Sequence, residues 1–140
     1  MLERCSLFIG VEPEEIAYMS DLGKLESFRE GDRIIRVGVP GDTLYVLVEG
    51  SVSIRIGEEE IALAEHTQPG SFFGEIAIVD NGPRSASFIA EADSTLLRLP
   101  IDMLEDCFRG NAMMEARVMR NLATALSAYL RRANAVRVRS

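Results

Sequence analysis

The sequence predicts a mainly β, α+β domain, a small antiparallel barrel or jelly roll with helices before and after it. Apolar residues recur at helical spacing near the N-terminus, at a period of two through the middle, and at helical spacing again toward the C-terminus. Glycine and proline punctuate the middle at Gly31, Gly38, Pro40-Gly41, Pro69-Gly70 and Gly82-Pro83, so the strands between them are short and evenly spaced. The chain has 140 residues, 47% of them hydrophobic, which suffices for one core and is too short for two comfortable domains.

Each element has its own signal. Pro13-Glu14-Glu15 reads as an acidic first helical turn with proline near its first position, and Ile16, Met19 and Leu22 continue at helical spacing up to Gly23. Thr43-Leu44-Tyr45-Val46-Leu47-Val48 is β-branched and aromatic, as strands are. Val52, Ile54 and Ile56 alternate with Ser51, Ser53 and Arg55, the pattern of a half-buried strand, and Glu49-Gly50 between these two runs predicts a tight hairpin. Gly57-Glu58-Glu59-Glu60 predicts the next turn, leading into Ile61-Ala62-Leu63, and Phe88–Ala90 and Thr95–Leu99 supply two further strands. Leu104, Cys107 and Phe108 open a helical stretch that Gly110-Asn111 interrupts. From Ala112 to about Arg132 there is no proline or glycine, and Met119, Leu122, Leu126, Leu130 and Ala133 fall on one stripe, predicting a long amphipathic helix.

The composition excludes several functions. A net charge of −7 argues against non-specific binding to nucleic acid or to an anionic membrane as the main activity. The last ten residues hold four arginines and no acid, and are expected to be a frayed, solvated basic tail. No apolar run is long enough to cross a membrane and the N-terminus lacks a signal-peptide core, so a cytoplasmic protein is expected. Cys5 and Cys107 form no CxxC pair and are expected as reduced, buried or half-exposed thiols. His66 is the only histidine, which leaves no recognisable metal-ligand set and no partner for Ser85 or Ser87 as nucleophile, so neither a metal site nor an enzyme is expected. Met103, Met113, Met114 and Met119 read as core or interface filling.

Residues 70–87 carry the chemistry. Gly74 lets a backbone approach a ligand closely. Glu75-Ile76-Ala77-Ile78 is long enough for one helical turn, whose free N–H groups attract an anion. Arg84, nine residues after Glu75 and following a Gly-Pro turn, offers a two-pronged, charge-assisted contact to a phosphate. A carboxylate at Glu75 does not sit on that phosphate and suits a sugar hydroxyl instead. Read alone, Gly74-Glu75 is sooner a turn with a solvated acid than a binding site; the pairing with Arg84 points to a compact ligand bearing one anion and one neighbouring hydroxyl.

Phe73-Gly74-Glu75-Ile76-Ala77 followed by Pro83-Arg84-Ser85-Ala86-Ser87 resembles the phosphate-binding cassette of the cyclic nucleotide-binding domain family, which includes kinase regulatory subunits, gated channels and catabolite activators. Phe28–Ile35 and Gly41–Val52 resemble the family's opening strand segment and its next hairpin, and the likeness covers roughly residues 7–133. The resemblance implies an eight-stranded β-roll with an N-terminal helical segment over 1–27, the roll over 28–100 with its cassette at 73–87, C-terminal helices over 101–134 and the tail over 135–140. It implies that Glu75 binds a ribose 2′-hydroxyl, Gly74 admits the main chain, and Ile76 and Ala77 offer N–H groups. Arg84 neutralises a cyclic phosphate beside Ser85 and Ala86. Phe73, which opens the cassette, counts among the ligand-binding residues, and the base meets the long helix near Ala133 and Asn134. Val39-Pro40 departs from the Gly-Asp pair that many relatives carry, which touches a turn and not the cassette.

The function this implies is a cyclic nucleotide sensor, for cyclic AMP first and cyclic GMP second, whose long helix closes over the pocket. The apolar stripe of residues 112–134 is a natural seam for a homodimer. No helix-turn-helix follows within these residues, so direct DNA binding is not expected, and the downstream protein partner is not legible. The alternative is an interaction or regulatory subunit whose pocket is vestigial or tuned to another effector.

Overall fold

The computed structural model describes residues 2–35, 42–56, 61–66, 68–74 and 87–139, with the backbone alone for residues 56, 61–66, 129 and 132–139. Two 3-10 turns, Leu2–Arg4 and Ser6–Phe8, precede helix α1, Pro13–Leu22, in which proline takes the first-turn position the sequence predicts. Strands follow as β1 (Lys24–Phe28), β2 (Arg33–Ile35), β3 (Thr43–Glu49), β4 (Val52–Ile56), β5 (Ile61–His66), β6 (Phe72–Phe73), β7 (Ser87–Ala90) and β8 (Ser94–Pro100). Helix α2 spans Ile101–Phe108 and α3 spans Ala112–Arg139. The described strands pair antiparallel in two sheets, ordered β1-β8-β3-β6 and β2-β7-β4-β5, a β-roll with helices before and after it.

The two sheets explain the two cores. Strand β3 is buried from Thr43 through Leu47, without the alternation of a half-solvated strand. Both of its faces are covered. Leu44 and Val46, with Leu97 and Leu99 of β8, join a cluster completed by the 3-10 turns and all three α-helices. Tyr45 and Leu47, with Leu96, turn the other way and meet Ile35 and Val52 of the second sheet.

Three expectations are corrected, and a fourth is narrowed. The tight hairpin at Glu49-Gly50 does not form: β3 pairs with β6 and β8, whereas β4 pairs with β5 and β7. Gly50, at φ +114°, passes the chain from one sheet to the other, and Ser51 is fixed there by donating its N–H to Ser94 Oγ at 3.1 Å. The hairpin that does form joins β4 to β5 with Ile56 opposite Ile61, on either side of the acidic segment 57–60, which lies outside the described residues. The helical segment ends at Leu22 and not at 27, because Lys24–Phe28 finds a partner strand in β8. The C-terminal helix runs on through the expected tail to Arg139, since no proline or glycine interrupts it after Asn111. The proposed dimer stripe is partly spent within the chain: Leu122 is buried in the helical cluster, and Met119 and Leu126 pack against it. Leu130 is exposed, and the side chain of Ala133 is outside the description.

Gly110-Asn111 does separate α2 from α3, and Asn111 also starts the second helix. Its Oδ1 accepts the Met114 N–H at 3.1 Å, an N-cap bond, while its Nδ2 donates to Glu15 Oε1 of α1 at 2.7 Å. Cys5 and Cys107 are thiols outside any disulfide, the first buried and the second half-buried, and burial, reinforced by Asp106, pushes the Cys107 thiol up from its ordinary range. No helix among the described residues is long and apolar enough to cross a membrane.

Candidate ligand-binding site

Gly74 and Ser87 are where the fold meets the segment singled out by its chemistry; Glu75, Ile76, Ala77, Arg84, Ser85 and Ala86 lie between them, outside the described residues. Strand β6 is short because glycines in the left-handed region bracket it, Gly70 at φ +94° and Gly74 at φ +82°. It is tied to β3 by Gly70 N–H donating to the Leu47 carbonyl at 2.8 Å and by Leu47 N–H donating to the Ser71 carbonyl at 2.7 Å. Gly74 is buried, and at its positive φ an L side chain meets conformational resistance.

Phe73 was expected to touch ligand. Its ring is 1% exposed and lies face to face with Phe88 at a centroid distance of 4.7 Å and with Tyr45 at 5.6 Å. The ring is thus taken up by packing against its aromatic neighbours. Tyr45 in turn meets Phe28 edge-on at 6.3 Å, and burial, with Glu26 nearby, raises its phenol above the usual range, so it stays neutral.

The far end of the segment is held by strand pairing and charge. Strand β7 lies between β2 and β4, with Ser87 opposite Arg55 and Phe88 opposite Ile54. Arg55 Nε donates to Ser53 Oγ at 3.1 Å, and both the Arg55 guanidinium and the Ser53 hydroxyl donate to the Glu91 carboxylate. The Ser53 hydrogen bond first, and then that from Arg55, holds the Glu91 carboxyl below the usual carboxylate range. Among the described residues no group of three or more His, Cys, Asp or Glu side chains converges as metal ligands would. Asn134 lies on the backbone of α3 beyond the buried part of that helix, and its side chain is outside the description.

Sequence reasoning missed Phe88, Tyr45 and the Ser53–Arg55–Glu91 group. Phe73 stands immediately before Gly74, and Phe88 immediately after Ser87. That symmetric pair of aromatics is the available signal, of which the sequence reading takes Phe73 into the cassette and Phe88 only into a strand.

The fold is a two-sheet β-roll with helices before and after it, and the ends of the segment, Gly74 next to β6 and Ser87 in β7, belong to different sheets. The family model for the cyclic nucleotide-binding domain matches residues 25–111, and the chain belongs to that family. It is 32% identical over 128 residues to a CRP-like cAMP-activated global transcriptional regulator of Mycobacterium tuberculosis, covering 90% of this chain and 57% of that one. It is 34% identical over 130 residues to glutaminase 2 of Bradyrhizobium diazoefficiens, covering 93% of this chain and 20% of that protein. The N-terminal domain of a transcriptional regulator from Streptomyces coelicolor A3(2) superposes with a TM-score of 0.79 at 28% identity, covering 91% of this chain and 93% of that one. The chain thus spans from a fifth to just over half the length of these two curated relatives.

Proposed function

We propose that the chain is a cyclic nucleotide sensor, with cyclic AMP as its first ligand and cyclic GMP as its second, and without catalytic activity of its own. The observation that carries this reading is the pairing of Glu75 and Arg84 in one segment that leaves the roll at Gly74 and rejoins it at Ser87. Glu75 accepts a hydrogen bond from the ribose 2′-hydroxyl. Arg84 binds the cyclic phosphate, with N–H groups of Ile76 and Ala77 and donors of Ser85 and Ala86 around it. The base lies between the roll and α3, near Ala133 and Asn134. Membership of the family and the likeness to a regulator named for activation by cAMP support cyclic AMP as the first choice. The module acts in a reducing, cytoplasmic setting and passes its state to a protein partner through α3.

Isothermal titration of the pure chain with each nucleotide tests the reading. Saturable one-to-one binding is expected, and Arg84→Ala is expected to weaken it about 100-fold, because the phosphate loses its paired charge in a partly dry pocket. Absence of heat with both nucleotides, together with no nucleotide released from the purified protein on heating, overturns it.

A further inference from the structure

We infer that Phe73 and Phe88 are positioning residues, whose face-to-face stack clamps the two ends of the cassette and thereby sets the separation of Glu75 from Arg84. The inference rests on the cassette reading above and adds to it the device that makes two-ended recognition possible.

The clamp joins parts of the fold that strand pairing leaves apart. Phe73 belongs to β6 at the edge of one sheet and Phe88 to β7 inside the other, so no ladder hydrogen bond connects them. Their rings lie 4.7 Å apart at an interplanar angle of 13°. Phe73 is backed by Tyr45, itself opposite it in the β3–β6 ladder, at 5.6 Å and 19°. Phe88 is fixed from both sides by Ile35 of β2 and Ile54 of β4 in register. The stack is therefore held at each end and is a direct side-chain link between the strands that carry the segment's two anchor points. Glu75 follows Phe73 by two residues and Arg84 precedes Phe88 by four, so each ligand group is a short chain length from one half of the clamp. A ligand gripped at a hydroxyl and a phosphate tolerates little error in the distance between the two grips, and preorganising that distance lowers the ordering cost of binding.

The test begins without ligand. In Phe88→Leu, which keeps bulk and removes the ring, amide hydrogen exchange at Gly74 and Ser87 is expected to speed about tenfold while Leu96 and Leu97 of β8 stay protected. Phe88→Tyr, which keeps the ring, restores slow exchange. Exchange at Gly74 and Ser87 that Phe88→Leu leaves unchanged overturns the inference. Should Phe88→Leu not fold, Phe88→Met is read in the same way.

Titration with cyclic AMP and with 2′-deoxy cyclic AMP follows. In the parent chain, loss of the 2′-hydroxyl weakens binding by about tenfold or more, because Glu75 is left without its partner. In Phe88→Leu that discrimination shrinks toward unity, and Phe88→Tyr recovers it. An equal loss of affinity for both nucleotides, with discrimination intact, marks Phe88 as merely structural and overturns the positioning role. A parent chain that binds neither nucleotide overturns the cassette reading, and the exchange result then decides the clamp alone.

Discussion

At Gly50 the chain changes sheets with φ at +114°, and a Cβ built there lies 2.6 Å from the Cα of Ser94. The Ser94 backbone is in the way as well as its hydroxyl, so turning the side chain aside does not relieve the clash. Gly50→Ala is expected to destabilise the chain by about 3 kcal/mol, from overpacking combined with a strained left-handed alanine, measured as the shift in urea denaturation at constant slope. A loss below about 1 kcal/mol shows that Ser94 gives way and that the junction is softer than its geometry indicates. The same residue marks what local reading reaches. Glu49-Gly50 announced a turn correctly and the hairpin wrongly, because a glycine fixes the local conformation whereas the partner strands are chosen by distant burial. Glu75 and Arg84, by contrast, stand out as a pair in the sequence because a carboxylate and a guanidinium at that spacing have few other uses, and both lie outside the described residues. Phe88 was not, since an inward aromatic on a strand looks the same whether it fills space or clamps a loop.

At the scale of elements, periodicity located α1, α2, α3 and the principal strands, because a helix or strand advertises its buried face every few residues. It did not show that α3 is fastened to the N-terminal 3-10 turns by polar groups. Asn121 Nδ2 donates to the carbonyls of Leu7 and Ile9, each at 2.9 Å, and Arg117 donates to the Gly10 carbonyl. These carbonyls belong to or follow a turn too short to satisfy them internally, and side chains of α3 do so instead. Leu7 and Phe8 are buried beside Val118 and Leu122 in the same cluster, so an apolar contact and a polar latch act together. Asn121→Ala is expected to cost about 1–2 kcal/mol, because two carbonyl acceptors lose one donor group, with earlier proteolytic release of residues 2–9 as a second sign. An unchanged denaturation midpoint would show that water replaces the amide without loss. No sequence pattern signals such a latch, since an asparagine in mid-helix is ordinarily an exposed residue of modest propensity.

For the molecule as a whole, the two cores decide which part of α3 is free to respond to ligand. Met114, Val118 and Leu122 are buried and Met119 and Leu126 half-buried, all against a cluster shared with the 3-10 turns, α1, α2 and the outer face of the first sheet. Swinging the whole helix exposes this face, and each large apolar side chain returned to water costs about 2 kcal/mol. A bound nucleotide shifts an equilibrium only by its differential affinity for the two states, and the contacts of one base with α3, as proposed above, are too few to offset several such losses. The turns beyond Leu126 carry no comparable restraint among the described side chains, where Leu130 is 59% exposed. Ligand-dependent motion is therefore expected after Leu126, with the earlier turns acting as a fixed pivot. Hydrogen exchange with and without cyclic AMP checks this: protection is expected to rise across residues 127–139 and to stay the same across 114–124. Equal change along all of α3 would mean that the helical core opens with the switch, and no change anywhere in α3 would remove the helix from signalling altogether.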